Sequence, residues 1–145
     1  MIDAHGLILH VEDMDMLHKV DETVTKKMVY LSHVIHSYAN LLKFYRKLLP
    51  YFKVWGDFKV HLALIKIAEV TPFAINHDPI FISDLKPVHD KAYIYEGATS
   101  YNVLTDEPLL TQELVEFTLD LHWSFGVPIE EKVCREWVSK HIRWN

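Results

Sequence analysis

Asp21–Leu49 reads DETVTKKMVYLSHVIHSYANLLKFYRKLL. Within it and just past it, Val24, Met28, Leu31, Ile35, Tyr38, Leu42, Tyr45, Leu49 and Phe52 alternate steps of four and three residues. That spacing keeps one side of an α-helix apolar over about four heptads. It predicts a helix beginning near Asp21, a good N-cap, and ending near Leu48, because Pro50 disfavours helical geometry at Leu49. Lys43, Arg46 and Lys47 suit the negative end of its dipole. Tyr30, Val34, Leu41 and Leu48 lie beside the stripe and widen the apolar arc, so two or more neighbours should grip this helix. The opposite face carries Glu22, His33, His36, Asn40, Lys43 and Lys47. The weak point is Thr23-Val24-Thr25, whose β-branched side chains have modest helix propensity.

Outward from this stretch, an upstream helix is expected from Asp13, with Met14, Leu17 and Val20 as its apolar positions, running into the long one. Gly6–Val11 before it reads as a short buried strand. Downstream, two periods compete over Asp57–Val70. Phe58, Leu62 and Ile65 fit a helix, whereas Phe58, Val60, Leu62 and Leu64 alternate as in a strand. With no turn signal in fourteen residues, Asp57 able to cap and Thr71-Pro72 able to stop, a helix is the expectation. Pro79–Ser83, Lys86–Asp90 and Ala92–Tyr95 read as extended pieces giving two short strands, and Gly97–Asn102 as a loop. Thr105-Asp106-Glu107-Pro108 then opens a helix with Leu110, Leu114, Phe117 and Leu121 as its stripe and Gly126 as its stop. Pro128 opens a last helix, on which Ile129, Val133 and Trp137 step by four. The expected fold is a single, predominantly helical α+β domain: one long central helix packed by a C-terminal helical hairpin, with a small β-hairpin or short sheet.

Composition bounds the function classes. The 145 residues are half apolar, with 12% aromatic and only 4 Gly, which suits one folded domain and not a disordered chain. A net charge of −5 disfavours a general nucleic-acid binder. The lone Cys134 allows no internal disulfide, no signal-peptide pattern opens the chain, and no apolar run approaches the roughly 20 residues needed to span a bilayer. An intracellular, cytoplasmic protein without a membrane segment is expected.

Ten histidines raise a divalent-metal hypothesis. His33 and His36 are three apart on one helix face and can converge on an ion, with Asn40 one turn later. His77-Asp78 and His89-Asp90 are two further candidate pairs. They resemble the His-Asp dipeptide of metal-dependent phosphohydrolases of the HD superfamily, with His33 or His36 standing upstream. That resemblance implies a bound divalent ion and phosphoester hydrolysis. It covers these residues only, and in that family the pair lies on a helix, whereas Pro79 and Pro87 put both pairs here in loops. There a turn-forming Asp beside a surface His is the plainer reading. Asp84-Leu85-Lys86, behind Glu69 and Asp78, resembles the acid, acid-x-Lys arrangement of many metal-dependent nucleases, but Asp78 and Asp84 stand too close for a strand-turn-strand. The helix-Gly-helix outline around Phe125-Gly126-Val127 resembles a DNA-reading helix-turn-helix. Its second helix, however, begins Ile129-Glu130-Glu131, where acids would face phosphates. Cys134 is expected to be a packed thiol.

With no phosphate loop, zinc framework or nucleophile elbow present, the expectation is a binding protein: a regulator, inhibitor or adaptor of another protein. By composition it is akin to small accessory proteins of phages and mobile elements. No resident cofactor is expected, a divalent metal in the histidine sets being the alternative. The partner would meet His33, His36, Asn40, Lys43 and Lys47, or Trp55 in the aromatic junction Tyr51–Gly56. A homodimer through the heptad stripe is a further option. A metal-dependent hydrolase and a DNA-binding protein are the rivals.

Overall fold

The long stretch divides at Tyr30. In the computed structural model, which describes residues 16–19, 25–53, 55–76, 87, 88 and 90–145, Thr25–Tyr30 is a strand (β2) and Leu31–Leu48 is the helix (α1). β2 is the middle strand of a three-stranded sheet. It pairs antiparallel with Met16–Lys19 (β1), Met16 opposite Met28 and Lys19 opposite Thr25. On its other side it pairs parallel with Thr71–Phe73 (β4), Met28 opposite Thr71. Met28 and Val29, adjacent in sequence, are both buried, so both faces of β2 are covered. A doubly covered central strand takes consecutive apolar residues, and Met28-Val29-Tyr30 supplies them. The upstream helix through Leu17 is likewise overturned, since Met16–Lys19 is strand. The strand expected at Gly6–Val11, and the extended pieces at Pro79–Ser83 and Lys86, lie outside the described residues.

α1 ends as its sequence predicts. Pro50 opens a single 3-10 turn, Leu49–Phe52, and Lys53 closes it in the left-handed region at φ 55°. Leu31, Val34, Ile35, Tyr38, Ala39 and Leu42 form its buried side. Phe52, the last position of the heptad pattern, is exposed instead.

Asp57–Ile65 is not a helix but a nine-residue strand (β3), with Phe58, Val60, Leu62 and Leu64 on the inward side of a strict alternation. It pairs antiparallel over its whole length with Ala92–Ser100 (β5), from Asp57 opposite Ser100 to Ile65 opposite Ala92. The turn that ends β3 carries no sequence mark, because Lys66 (φ 60°) and Glu69 (φ 65°) take left-handed conformations usually given to glycine. Glu69 and Val70 then bond to Val88 at 2.8 Å in both directions, before β4 begins. Gly97 sits inside β5 because a Cβ there would lie 2.9 Å from Cε1 of Tyr95, whose ring folds back over it.

The stretch expected as a loop, Gly97–Asn102, is the end of β5 and the start of a short helix, Tyr101–Thr105 (α2), capped by Ser100. Glu107–Ser124 (α3) follows, with the Asp106 carboxylate accepting from the Leu109 N–H at 3.0 Å, and it stops before Gly126 at φ 69°. The last helix, Glu131–His141 (α4), begins three residues after Pro128, because Glu130 is extended. Its buried positions are Cys134 and Val138, one residue out of phase with the expected stripe, so Val133 is exposed. The architecture is a predominantly helical α+β fold. The core lies around α3, whose Leu110, Leu114, Phe117 and Leu121 are fully buried between α1, the inner side of the β3–β5 ribbon and α4.

Candidate functional site

At about 100° per residue, His33, His36, Asn40, Lys43, Phe44 and Lys47 fall on one arc of α1, away from Leu31, Ile35 and Leu42. Asn40, Phe44 and Lys47 are exposed, whereas His33, His36 and Lys43 are half-buried. The arc brings together five of the six residues expected to meet a partner. Near the start of α1, His33 and His36 line a shallow open depression of about 300 Å³ with Tyr30 and Ser32. The Nδ1–H of His36 donates to the Ser32 carbonyl at 2.7 Å, which fixes the ring.

One edge of the arc is seated on α4 and the C-terminal tail, whose tryptophans helical spacing does not assign to this face. Trp137 of α4 meets His36 edge-on at 5.4 Å and stacks on His141 at 4.7 Å. Lys43 Nζ lies 6.0 Å above the ring of Trp144, whose Nε1–H donates to Thr111 at 2.9 Å. Arg46 turns the same way, donating to the Trp144 carbonyl at 3.1 Å and standing 3.7 Å from Glu107. Trp137 therefore backs His36 and Trp144 faces the Lys43 ammonium, while the outer side of the arc, at Asn40, Phe44 and Lys47, faces solvent.

At the far end the chain exposes aromatic surface. Tyr51 is 85% exposed, Phe52 58% and Trp55 57%, all in the turn from α1 into β3. Trp55, the sixth expected partner residue, lies off the helical arc and packs edge-on against Tyr101 at 4.8 Å. Tyr51, Phe52 and Phe44 are not distinguished by periodicity, which assigns Phe52 to the core. A charge pattern marks them. From Thr23 to Gly56 the chain holds six Lys or Arg and no Asp or Glu, against nine bases and twenty acids elsewhere.

The other candidate sets fall largely outside the described residues. His77, Asp78 and His89 lie outside the described residues, as do Asp84 and Lys86, while Asp90 is exposed just before β5 and Glu69 sits in the turn before β4. Among the described residues, no three His, Cys, Asp or Glu side chains stand close enough to share a metal ion. Glu130 and Glu131 are exposed at the start of α4. Cys134 is fully buried, its thiol 3.6 Å from the Val115 carbonyl, and burial pushes its pKa up to about 11, so the reactive thiolate is suppressed.

Beneath α1 lies a set of polar groups that no local motif marks. The carboxylate of Glu113 on α3 accepts from the Thr99 hydroxyl at 2.6 Å and the Tyr38 hydroxyl at 3.1 Å. Tyr93 donates to Asp120 at 2.7 Å. Burial, and then the neighbouring Glu113 carboxylate, hold the Tyr38 phenol far above its ordinary range. Burial, the hydrogen bond to Asp120 and its charge do the same for Tyr93. Burial also raises Glu113, against the two hydroxyl donors that favour its charged form. Phenols held this way remain hydrogen-bond donors and do not act as bases at neutral pH. The network ties α1, β5 and α3 together; it is internal framing for the outer arc.

Among the described residues no helix is long and apolar enough to cross a membrane. No family model matches the chain, and no curated protein or solved structure matches it significantly.

Proposed function

We propose that this chain is a binding module for another protein, acting as a regulator, inhibitor or adaptor, and that it docks through the outer arc of α1 and the aromatic turn after it. The observation that carries this reading is the joint exposure of Tyr51, Phe52 and Trp55 in one turn. Single exposed apolar residues are ordinary, but several large aromatics side by side, rimmed by Lys47 and Lys53, are the composition of an interface centre. Tyr and Trp are also the residues that most often dominate binding energy. The heptad stripe offers no such surface, because Leu31, Ile35, Tyr38 and Leu42 are buried within the chain.

The test is affinity capture from the native host with the full chain and with a Tyr51→Ser/Phe52→Ser/Trp55→Ser variant. The expected result is a protein recovered in fixed stoichiometry by the parent and lost by the variant, with unchanged circular dichroism. Retention of that protein by the variant would place docking elsewhere. Enrichment of no protein over the control would end the reading.

A further inference from the structure

We infer that the segment docking on α1 is acidic, with large apolar side chains at one end. This rests on the reading that the outer arc of α1 receives a protein. The first observation is charge. A protein of net charge −5 has no acid between Thr23 and Gly56, and Lys43, Arg46, Lys47 and Lys53 all fall on α1 and the turn after it, so these form a cationic strip on an otherwise acidic chain. Lys47 and Lys53 are exposed, and Lys43 is steadied over Trp144 at 6.0 Å. A carboxylate reaching Lys43 would meet an ammonium already placed against the Trp144 ring, which lowers the entropy lost on pairing.

The second observation is polarity along the strip. Its eighteen helical residues span roughly 27 Å at 1.5 Å each, enough for about eight residues of an extended segment. Histidines and lysines line that length, and the exposed aromatics Tyr51, Phe52 and Trp55 close one end. Acids belong along the strip and bulky apolar side chains at its end.

Other polyanions fit less well. A duplex long enough to use the strip would also run against Asp57, Asp106 and Glu107, all exposed beside the aromatic end. An anionic bilayer would need an apolar face along the helix, yet the arc from His33 to Lys47 exposes one large apolar side chain, Phe44, and the aromatics Tyr51, Phe52 and Trp55 are confined to the turn at its end.

The experiment is to pan a random peptide library on the full chain and on a Lys43→Gln/Lys47→Gln/Lys53→Gln variant, using the aromatic-turn variant above as a third bait. The expected peptides carry an excess of Asp and Glu with Phe, Leu or Trp clustered at one end. Their affinity should fall roughly tenfold or more on the neutralised variant and weaken with added salt. Phosphatidylserine vesicles and a DNA duplex should bind the parent more weakly than the selected peptides. Peptides with no acidic excess, or equal affinity for the neutralised variant, would overturn the inference. So would tighter binding of vesicle or duplex. Neutral peptides lost only on the aromatic-turn variant would remove the acidic partner while leaving the docking face intact. Peptides that bind all three baits equally would remove both.

Discussion

α1 and α3 are both eighteen residues long, yet the fold uses them differently. α1 buries one side and leaves His33, His36, Asn40, Lys43 and Lys47 on the other. α3 is enclosed from several directions, with Leu110, Leu114, Val115, Phe117, Thr118, Leu121 and His122 all buried. Even its polar members are satisfied internally. Thr118 donates to the Leu114 carbonyl at 2.7 Å. His122 donates from Nδ1 to the Thr118 carbonyl at 2.7 Å, and its Nε2 accepts from the Ile75 N–H at 3.4 Å, an arrangement that takes the neutral ring. If α1 docks a partner as proposed, α3 is scaffold and the outer side of α1 is display, and stability and binding should respond to substitution at different places.

The largest expected effect tests that division directly. Phe117 is fully buried, with ring centroids 4.2 Å from Tyr38 and 4.9 Å from Tyr95. Phe117→Ala removes those contacts and leaves a cavity, and should cost about 3 to 5 kcal/mol of unfolding free energy. Phe52→Ala, the same chemical change at an exposed site, should cost no more than about 0.5 kcal/mol. Urea denaturation of the two variants reads both numbers. A comparable loss at Phe52 would mean that the aromatic turn is part of the scaffold, and the contrast between the helices would fail.

How far the sequence discloses this arrangement depends on which forces set each element. α3 is legible because its signals are local: Asp106 caps it, Pro108 opens it and Gly126 closes it. The end of α1 at Pro50 is legible for the same reason. Its beginning is hidden, since Thr25–Tyr30 is a strand only because β1 and β4 flank it, and the heptad phase runs through Met28 by coincidence of two periods. β3 is hidden by its partner, which is β5 far along the chain, and by the two non-glycine residues of left-handed geometry that end it. The display face follows the same rule. His33, His36, Asn40, Lys43 and Lys47 share an arc that helical spacing reveals, whereas Trp137 and Trp144 reach it through the packing of α4 and the tail. Glu113 and Thr99 meet by tertiary contact alone.

A smaller effect should appear in the pH dependence of stability, and it sharpens the contrast in electrostatic terms. α3 carries a carboxyl on its inner side, Glu113, whose pKa burial raises in the folded protein. Through the window above the ordinary glutamate range the native state therefore binds more protons than the unfolded chain, so this group's contribution to stability falls as pH rises. Glu113→Gln should flatten that part of the profile, measured as urea midpoints from mildly acidic to neutral pH. Neutralising Lys47, exposed on α1, should leave the profile unchanged. If Glu113→Gln leaves the slope intact, the inner carboxyl is not held differently from a surface one, and the electrostatic side of the contrast falls.

The smallest effect concerns Asn40, in the middle of the display face. It is exposed at an interior helical position, where Asn is a poorer helix former than Ala because its side chain competes for backbone hydrogen bonds. Asn40→Ala should therefore stabilise the protein, by about 0.5 kcal/mol. A residue that lowers stability on an exposed surface serves no scaffold, and in the docking reading its amide is a donor and acceptor offered to the partner between the histidines and the lysines. The same substitution should then weaken capture of that partner while raising the urea midpoint. A rise in midpoint with undiminished capture would leave Asn40 outside the interface. A fall in midpoint would make Asn40 a structural partner of its neighbours, and the outer side of α1 would be scaffold after all.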